Sequence, residues 1–61
     1  MNGGSLTTID TLNVRLMGTF EECQEAIYKL DVKGIEILDV SKFYPNRGNT
    51  KTGRVYITIR L

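Results

Sequence analysis

Tyrosine and arginine side chains are concentrated in one short segment of this 61-residue chain, KFYPNRGNTKTGRVY at residues 42–56. Part of the segment is typical of a loop between antiparallel strands, and its turn-forming residues are Pro45, Asn46, Gly48 and Gly53. A turn does not require the aromatic and cationic residues found beside them, which are Phe43, Tyr44, Arg47, Arg54 and Tyr56. Rings beside guanidinium groups bind anions and planar molecules, and Tyr and Arg are enriched in protein interfaces. We therefore predict that these five residues, together with Asn46, form a partner-binding surface.

Charge is divided unevenly along the chain, although the net charge is only +1. Residues 1–39 contain all seven acidic residues and three basic ones, which gives −4. Residues 40–61 contain five basic residues and no acidic one, which gives +5. The basic part is expected to attract phosphates, nucleic acid or an acidic protein surface. The alternative is that the basic strands of one subunit lie near the acidic helix of another.

Residues suited to catalysis or metal binding are scarce in this sequence. The chain has no histidine, the commonest general base near neutral pH, and one cysteine cannot build a structural zinc site. Cys23 lies among apolar helix positions, where a buried core thiol is expected. Glu36 and Asp39 are three residues apart on a predicted strand, so their side chains point to opposite faces. The sequence therefore predicts a non-enzymatic protein without a catalytic residue, a cofactor or a metal.

The small size of the chain predicts that it self-associates. A domain of 61 residues buries only about 60% of its unfolded surface, and domains this small often gain stability from a partner subunit. A single cysteine excludes an intramolecular disulfide and favours a cytoplasmic location. No segment approaches the roughly 20 apolar residues of a membrane span. We therefore expect a homodimer or higher oligomer in the cytoplasm, with no membrane partner.

Alternating apolar residues predict a first strand at about residues 11–17, which Gly18 is expected to end. Thr19 and Glu22 have the spacing of a capping box, which marks the start of a helix. The helix is predicted at residues 20–30, with an apolar stripe of Phe20, Cys23, Ala26, Ile27 and Leu30. Gly34 is available for the left-handed conformation that often follows a helix.

Two further strands follow the helix. The second is predicted at residues 35–44, and its apolar phase changes between Ile37 and Leu38. This change predicts either a β-bulge or a strand that is partly covered on both faces. The third strand, at residues 54–61, has the most regular alternation in the chain.

These elements predict an α+β fold with one β-α-β-β domain at residues 9–61, preceded by a flexible leader at residues 1–8. A right-handed crossover makes the first two strands parallel, and the following loop makes the third strand antiparallel. We expect a three-stranded mixed sheet in the order 1-3-2, as in half of a ferredoxin-like sheet. The helix is expected to cover one face, formed by Leu12, Val14, Leu16, Val55, Ile57 and Ile59. The opposite face is expected to be a basic surface that includes Asn13, Arg15, Arg54, Tyr56, Thr58 and Arg60.

Three segments of the chain resemble a family of short uncharacterised proteins found in Bacillus-type bacteria and their phages. The segments are NVRLMGT at residues 13–19, SKFYPNRG at residues 41–48 and GRVYITIRL at residues 53–61. The similarity covers about residues 12–61, and its most specific part is S-x-x-Y-x-N-R-G joined to G-R-V-Y. The resemblance implies a phage setting, in which proteins of this size often inhibit host enzymes or defence systems.

The residues and the resemblance together predict a small phage-encoded protein that binds and inhibits a bacterial host protein, such as an antiphage defence component. Sequestration of a nucleotide signal is a variant that uses the same residues. The alternative is a nucleic-acid-binding module for single-stranded DNA or RNA. It is kept because cations beside exposed rings bind phosphates and stacked bases.

Overall fold

A computed structural model describes residues 10–61 of the chain. The expected leader at residues 1–8, and Ile9 at the start of the expected domain, lie outside the described residues. The elements in chain order are β1 (Thr11–Thr19), α1 (Phe20–Val32), β2 (Glu36–Val40), β3 (Tyr44–Asn46) and β4 (Asn49–Arg60). The α+β class is confirmed, with one helix and one four-stranded antiparallel sheet in the part of the chain that the structure describes.

Strand β4 is the centre of the sheet. It lies between β1 and β2, and its N-terminal part also pairs with β3. The expected three-stranded mixed sheet in the order 1-3-2 is therefore corrected to a four-stranded sheet whose three ladders are all antiparallel. Strands β1 and β2 run in the same direction, but β4 separates them and prevents a parallel ladder.

The predicted second strand is divided into β2 and β3 by residues 41–43. At the division, the Ser41 N–H donates to the Tyr56 carbonyl at 2.8 Å. The Tyr56 N–H donates to the Ser41 hydroxyl at 2.9 Å, where a regular ladder would use the Ser41 carbonyl. Because a side chain supplies the acceptor, the backbone leaves the ladder at this point and resumes pairing as β3.

A β-bulge lies at Leu38, where the predicted apolar phase changes. Ile37 is paired with Ile59, whereas Asp39 is already paired with Thr58. From Ile37 to Asp39, β2 moves on by two residues while β4 moves on by one, and this extra residue defines a bulge. The bulge alternative is therefore confirmed. The expectation that Glu36 and Asp39 point to opposite faces is wrong, because the extra residue pairs them with Arg60 and Thr58, which share one face of β4.

Gly18 does not end the first strand, because β1 continues through it and Thr19 pairs with Thr52. The glycine instead leaves room for the helix cap, since a Cβ at Gly18 would lie 2.6 Å from Glu22 Oε1. The Thr19 N–H donates to Glu22 Oε1 at 2.8 Å, and the Glu22 N–H donates to the Thr19 hydroxyl at 3.1 Å. The predicted capping box is therefore confirmed.

The helix ends two residues later than predicted, at Val32. Gly34 then has a φ of +93°, as expected for the residue after a helix. Its N–H donates to the Asp31 carbonyl at 3.0 Å, and the Ile35 N–H donates to the Leu30 carbonyl at 3.1 Å. These two bonds satisfy carbonyls that the end of a helix leaves without partners.

The core lies between α1 and one face of the sheet, and its buried residues are Cys23, Val55, Ile57 and Ile59. Val14 and Leu16 pack against it as predicted, but Leu12 is 49% exposed. Leu12 lies at the end of β1 furthest from the turn into the helix, about 23 Å along the strand. A 13-residue helix is only about 20 Å long, so Leu12 falls beyond its cover. No helix among residues 10–61 is long and apolar enough to cross a membrane.

Candidate functional site

The face of the sheet opposite α1 carries most of the predicted binding residues. Alternation along β4 buries Val55, Ile57 and Ile59 beneath the helix and places the residues between them on the opposite face, which we call the open face. The β4 residues on the open face are Arg54, Tyr56, Thr58 and Arg60. The register adds their cross-strand partners from β1 and β3, which include Arg15 opposite Tyr56 and Tyr44 opposite Arg54.

Two tyrosine rings form the aromatic part of this face. The ring centroids of Tyr44 and Tyr56 lie 5.9 Å apart at an interplanar angle of 64°, an edge-to-face arrangement. Their side chains remain 37% and 42% exposed, respectively. The pair is therefore ordered by mutual contact while much of each ring stays available to a ligand.

Arg54 connects the two rings to the end of the β3–β4 hairpin. Its Nε donates to the Tyr56 hydroxyl at 3.0 Å, and its Cζ lies 5.9 Å from the Tyr44 ring centroid. Its Nη1 makes a longer contact of 3.5 Å with Asn46 Oδ1. Asn46 is held in turn by donation from its Nδ2 to Thr52 Oγ1 at 3.0 Å. Four predicted binding residues thus belong to one connected group.

The hydroxyl of Tyr56 lies in a positive environment. The pKa of this phenol is lowered from its ordinary value, chiefly by the hydrogen bond from Arg54. The Arg15 guanidinium acts on the same hydroxyl in the same direction, while partial desolvation opposes both. Arg15 reaches this position because it is directly opposite Tyr56 in the ladder between β1 and β4.

A further cation, Lys42, completes the group. Its Nζ lies 5.5 Å from the Tyr44 ring centroid, within the range of a cation–π contact. Sequence reasoning counted Lys42 in the basic half of the chain but did not predict it as a binding residue. The break at residues 41–43 hid its position, since strand alternation does not apply there. Arg15, Lys42, Tyr44, Arg54 and Tyr56 are hereafter called the Arg–Tyr cluster.

Arg60 shares the open face but not the electrostatic environment of the cluster. Its Nε donates to Glu36 Oε1 at 3.1 Å, and its Nη1 lies 3.7 Å from Asp10 Oδ2. Between Arg60 and the cluster, the Thr58 hydroxyl donates to Asn13 Oδ1 at 2.9 Å. The predicted basic face is thus divided into a neutralised end at Arg60 and a cationic end at the cluster.

Phe43 lies on the helix-covered face of the sheet, away from Tyr44. Its ring meets Phe20 edge-to-face, with centroids 5.7 Å apart at 87°, and it packs against the core. Gly53 makes this possible, because a Cβ there would overlap the Tyr44 carbonyl and lie 2.7 Å from Phe43 Cζ. The structure therefore separates Phe43 from the predicted binding residues that it brings together.

Arg47 occupies the two-residue turn between β3 and β4, followed by Gly48 at a φ of +87°. Its side chain is exposed, and within residues 10–61 it forms no hydrogen bond or ion pair. The hairpin therefore presents Arg47 at its tip, beyond Asn46 and apart from the contacts that join the cluster.

Other chemistry-bearing groups lie away from the open face. Cys23 is buried, its Sγ donates to the Leu16 carbonyl at 3.8 Å, and burial raises the pKa of its thiol, with a smaller contribution from Glu22. No group of three or more potential metal-ligating side chains is found among the residues that the structure describes. A surface groove of about 350 Å³ lies beside the helix, lined by Met17, Glu22, Glu25, Ala26 and Lys29, and shares no residue with the cluster.

Comparison of the chain with protein-family models, with curated proteins and with solved structures finds no match in any of the three. The chemistry of the cluster is therefore the basis for inferring function. Its three cations offer N–H donors to anions, and its two exposed rings offer surfaces for stacking. The arrangement is suited to binding a ligand or a partner surface.

Proposed function

We propose that this chain is a non-enzymatic binding protein that captures a bacterial host protein through the Arg–Tyr cluster and inhibits it. The observation that carries the proposal is the position of Arg54, which contacts both rings while they stay exposed. Side chains already held in place lose less conformational entropy on binding. Tyr and Arg are also the residue types that dominate binding energy in protein interfaces.

The resemblance to short proteins of Bacillus-type bacteria and their phages supports a phage origin. A component of antiphage defence in the host cytoplasm is the partner that this setting favours. Arg47 extends the proposed contact surface, because its exposed side chain lies at the hairpin tip next to Asn46. Phe43 is left out of the surface, because its ring packs against Phe20 and the core.

Binding of single-stranded nucleic acid is the second candidate function. It is favoured by the three cations that surround two exposed rings, with no carboxylate within the cluster itself. Phosphates would contact Arg15, Lys42 and Arg54, and bases would stack on Tyr44 and Tyr56. This arrangement is common in proteins that bind single strands without sequence preference.

Capture from bacterial lysate, with and without nuclease, separates the two functions. If the proposal is right, the wild-type chain captures a host protein even after nuclease treatment. Arg54→Gln and Tyr44→Ala should abolish this capture, and Arg60→Gln should retain it. The activity of the captured host protein should fall when the purified chain is added. Recovery of nucleic acid alone, with affinity that falls steeply between about 50 and 200 mM salt, would favour the second function instead. Equal capture by all three variants would contradict both.

We also propose that the chain forms a homodimer along the outer edge of β1. Within residues 10–61, β1 pairs only with β4, and it contains no lysine, proline or bulge of the kind that blocks edge pairing. Leu12 and Met17 are exposed beside this edge and would be covered by a second copy. Light scattering should therefore show a dimer that Leu12→Lys converts to a folded monomer. A wild-type monomer at high concentration would contradict this proposal.

A further inference from the structure

Two arginines lie beside Tyr56, and within residues 10–61 neither has a carboxylate within ion-pair distance. Asp39 shares the open face but is paired with Thr58, the next open-face residue along β4. Arg15 is directly opposite Tyr56, and Arg54 is two residues from Tyr56 on the same face. Arg15 and Arg54 are therefore diagonal neighbours, with Cα atoms roughly 7–8 Å apart. In the described part of the chain, neither forms an ion pair, and like charges held this close repel each other.

The contrast with Arg60 shows that the same sheet neutralises an arginine elsewhere. Arg60 has two carboxylates within 4 Å, from Glu36 and Asp10, at the other end of the open face. Arg54 donates to the Tyr56 hydroxyl and Arg15 is directly opposite Tyr56, so two arginines are neighbours of one phenol. Arg60 is thus neutralised by carboxylates of the chain, whereas Arg15 and Arg54 form no ion pair in the described residues.

Hydrogen-bond donors beside Tyr56 are available to bind an anionic oxygen. The phenol oxygen accepts from Arg54 Nε, so its own O–H remains able to donate. Arg54 uses Nε for Tyr56 and makes only a long contact from Nη1 to Asn46, which leaves further N–H groups unused. Arg15 adds a second guanidinium from the neighbouring strand.

We infer that Arg15, Arg54 and the Tyr56 hydroxyl form a subsite for the phosphate group of a nucleotide, whose base stacks on Tyr44. A phosphate monoester carries a charge of about −1.5 to −2 and three acceptor oxygens, which match two guanidinium groups and one hydroxyl. A carboxylate has only two oxygens and one charge. The base is assigned to Tyr44 because its exposed ring belongs to the cross-strand partner of Arg54, and the ring centroid lies 5.9 Å from Arg54 Cζ.

Lys42 fits the same ligand. Its Nζ lies 5.5 Å from the Tyr44 ring centroid, where it would meet a second phosphate or the edge of a stacked base. The subsite does not depend on capture of a host protein, because every group in it belongs to a single copy of this chain. Failure of either proposal therefore leaves the other testable.

The purified full chain should be titrated with adenosine monophosphate, inorganic phosphate and adenosine, with NMR shifts of the Tyr56 and Arg54 signals as the readout. Saturable binding is expected to be tightest for the nucleotide, weaker for phosphate and weakest for adenosine. Arg54→Gln should weaken nucleotide binding about tenfold or more, because a charged hydrogen-bond donor is lost. Arg60→Gln is the matched control and should leave the affinity unchanged.

A second variant and a second measurement keep the inference testable if Arg54→Gln fails to fold. Arg15 is on another strand, and Arg15→Gln should also weaken nucleotide binding. Circular dichroism checks that each variant is folded, and the Tyr56 pKa is the second measurement. Bound nucleotide should raise the pKa of the Tyr56 phenol, because a nearby anion opposes ionisation. Equal affinity for adenosine and the nucleotide, equal affinity for inorganic phosphate and the nucleotide, or equal weakening by Arg60→Gln would each overturn the inference.

Discussion

Arg54 donates a hydrogen bond from Nε to the hydroxyl of Tyr56 at 3.0 Å, although only one residue separates them on β4. The alternation of a strand places both side chains on one face, and the extended arginine lies along the strand to reach the phenol. The two residues are thereby held in one orientation before any partner arrives. Because this hydrogen bond lowers the pKa of the Tyr56 phenol, the Tyr56 pKa can be measured to report on the contact.

Replacement of Arg54 should raise the pKa of Tyr56. The hydrogen bond from Arg54 is the largest cause of the lowered phenol pKa, so Arg54→Gln should return it toward its ordinary value. Arg15→Gln should produce a smaller rise in the same direction. A pH titration of the Tyr56 ring signals by NMR measures the change, with Arg60→Gln as the control. An unchanged Tyr56 pKa in Arg54→Gln would contradict the geometry.

The stability of the fold should rise with pH across the alkaline range because of Tyr56. Its pKa in the folded state is lowered, whereas the unfolded chain has the ordinary value of about 10. Between these values the unfolded state binds more protons, so the free energy of unfolding increases with pH. This contribution is complete above about pH 10 and is lost as the pH falls through the lowered pKa.

Urea unfolding of the wild type and of Tyr56→Phe at a series of pH values measures this contribution. The difference in unfolding free energy between the two proteins should increase from neutral to alkaline pH. The increase should be small, because the hydroxyl is exposed and screened by solvent. A difference that is constant or that decreases with pH would contradict the sign.

Phe43 and Tyr44 should have separable roles, although they are adjacent in the chain. Phe43→Leu should lower stability by about 0.5–1.5 kcal/mol through loss of the edge contact with Phe20, and should leave partner capture intact. Tyr44→Leu should abolish capture with less effect on stability. Urea unfolding and a pull-down with each variant test this. Loss of capture in a folded Phe43→Leu variant would return Phe43 to the binding surface.

A side chain at position 53 should destabilise the β3–β4 hairpin. The Cβ of Gly53→Ala would overlap the Tyr44 carbonyl and press on the Phe43 ring. Overpacking of this kind costs about 1–3 kcal/mol, and it should also displace Tyr44 from Tyr56. Thr50→Ala, at an exposed position of the same strand, is the control and should change stability by less than about 0.5 kcal/mol. A Gly53→Ala protein as stable as wild type would show that the hairpin shifts freely.

Removal of the helix cap should weaken the fold without affecting the open face. Thr19→Ala removes the hydroxyl that accepts from the Glu22 N–H and should cost about 1 kcal/mol. Thr19→Ser retains the acceptor and should be close to wild type. Denaturant unfolding measures both variants. Equal stability of the alanine and serine variants would show that this bond contributes nothing.

Several features could be predicted from the sequence because they depend on short-range chemistry. The capping box needs only Thr19 and Glu22 at their spacing, and strand alternation alone sorts Val55 from Arg54 and Tyr56. The bulge also appeared in the pattern, because the apolar phase changes where β2 gains one residue against β4. Each of these signals lies within a few residues along the chain.

Only the tertiary structure decided which residues are paired across neighbouring strands. The Ser41 hydroxyl accepts a hydrogen bond from the Tyr56 N–H, and this divides the predicted second strand. After the division, Phe43 packs against the core and Tyr44 lies on the open face. Two arginines of the same strand also differ in environment, because Glu36 and Asp10 reach Arg60 but not Arg54. Composition and periodicity determined which residues share a face of a strand. Register and side-chain contacts between distant segments determined which of the cations are neutralised and which remain available to a ligand.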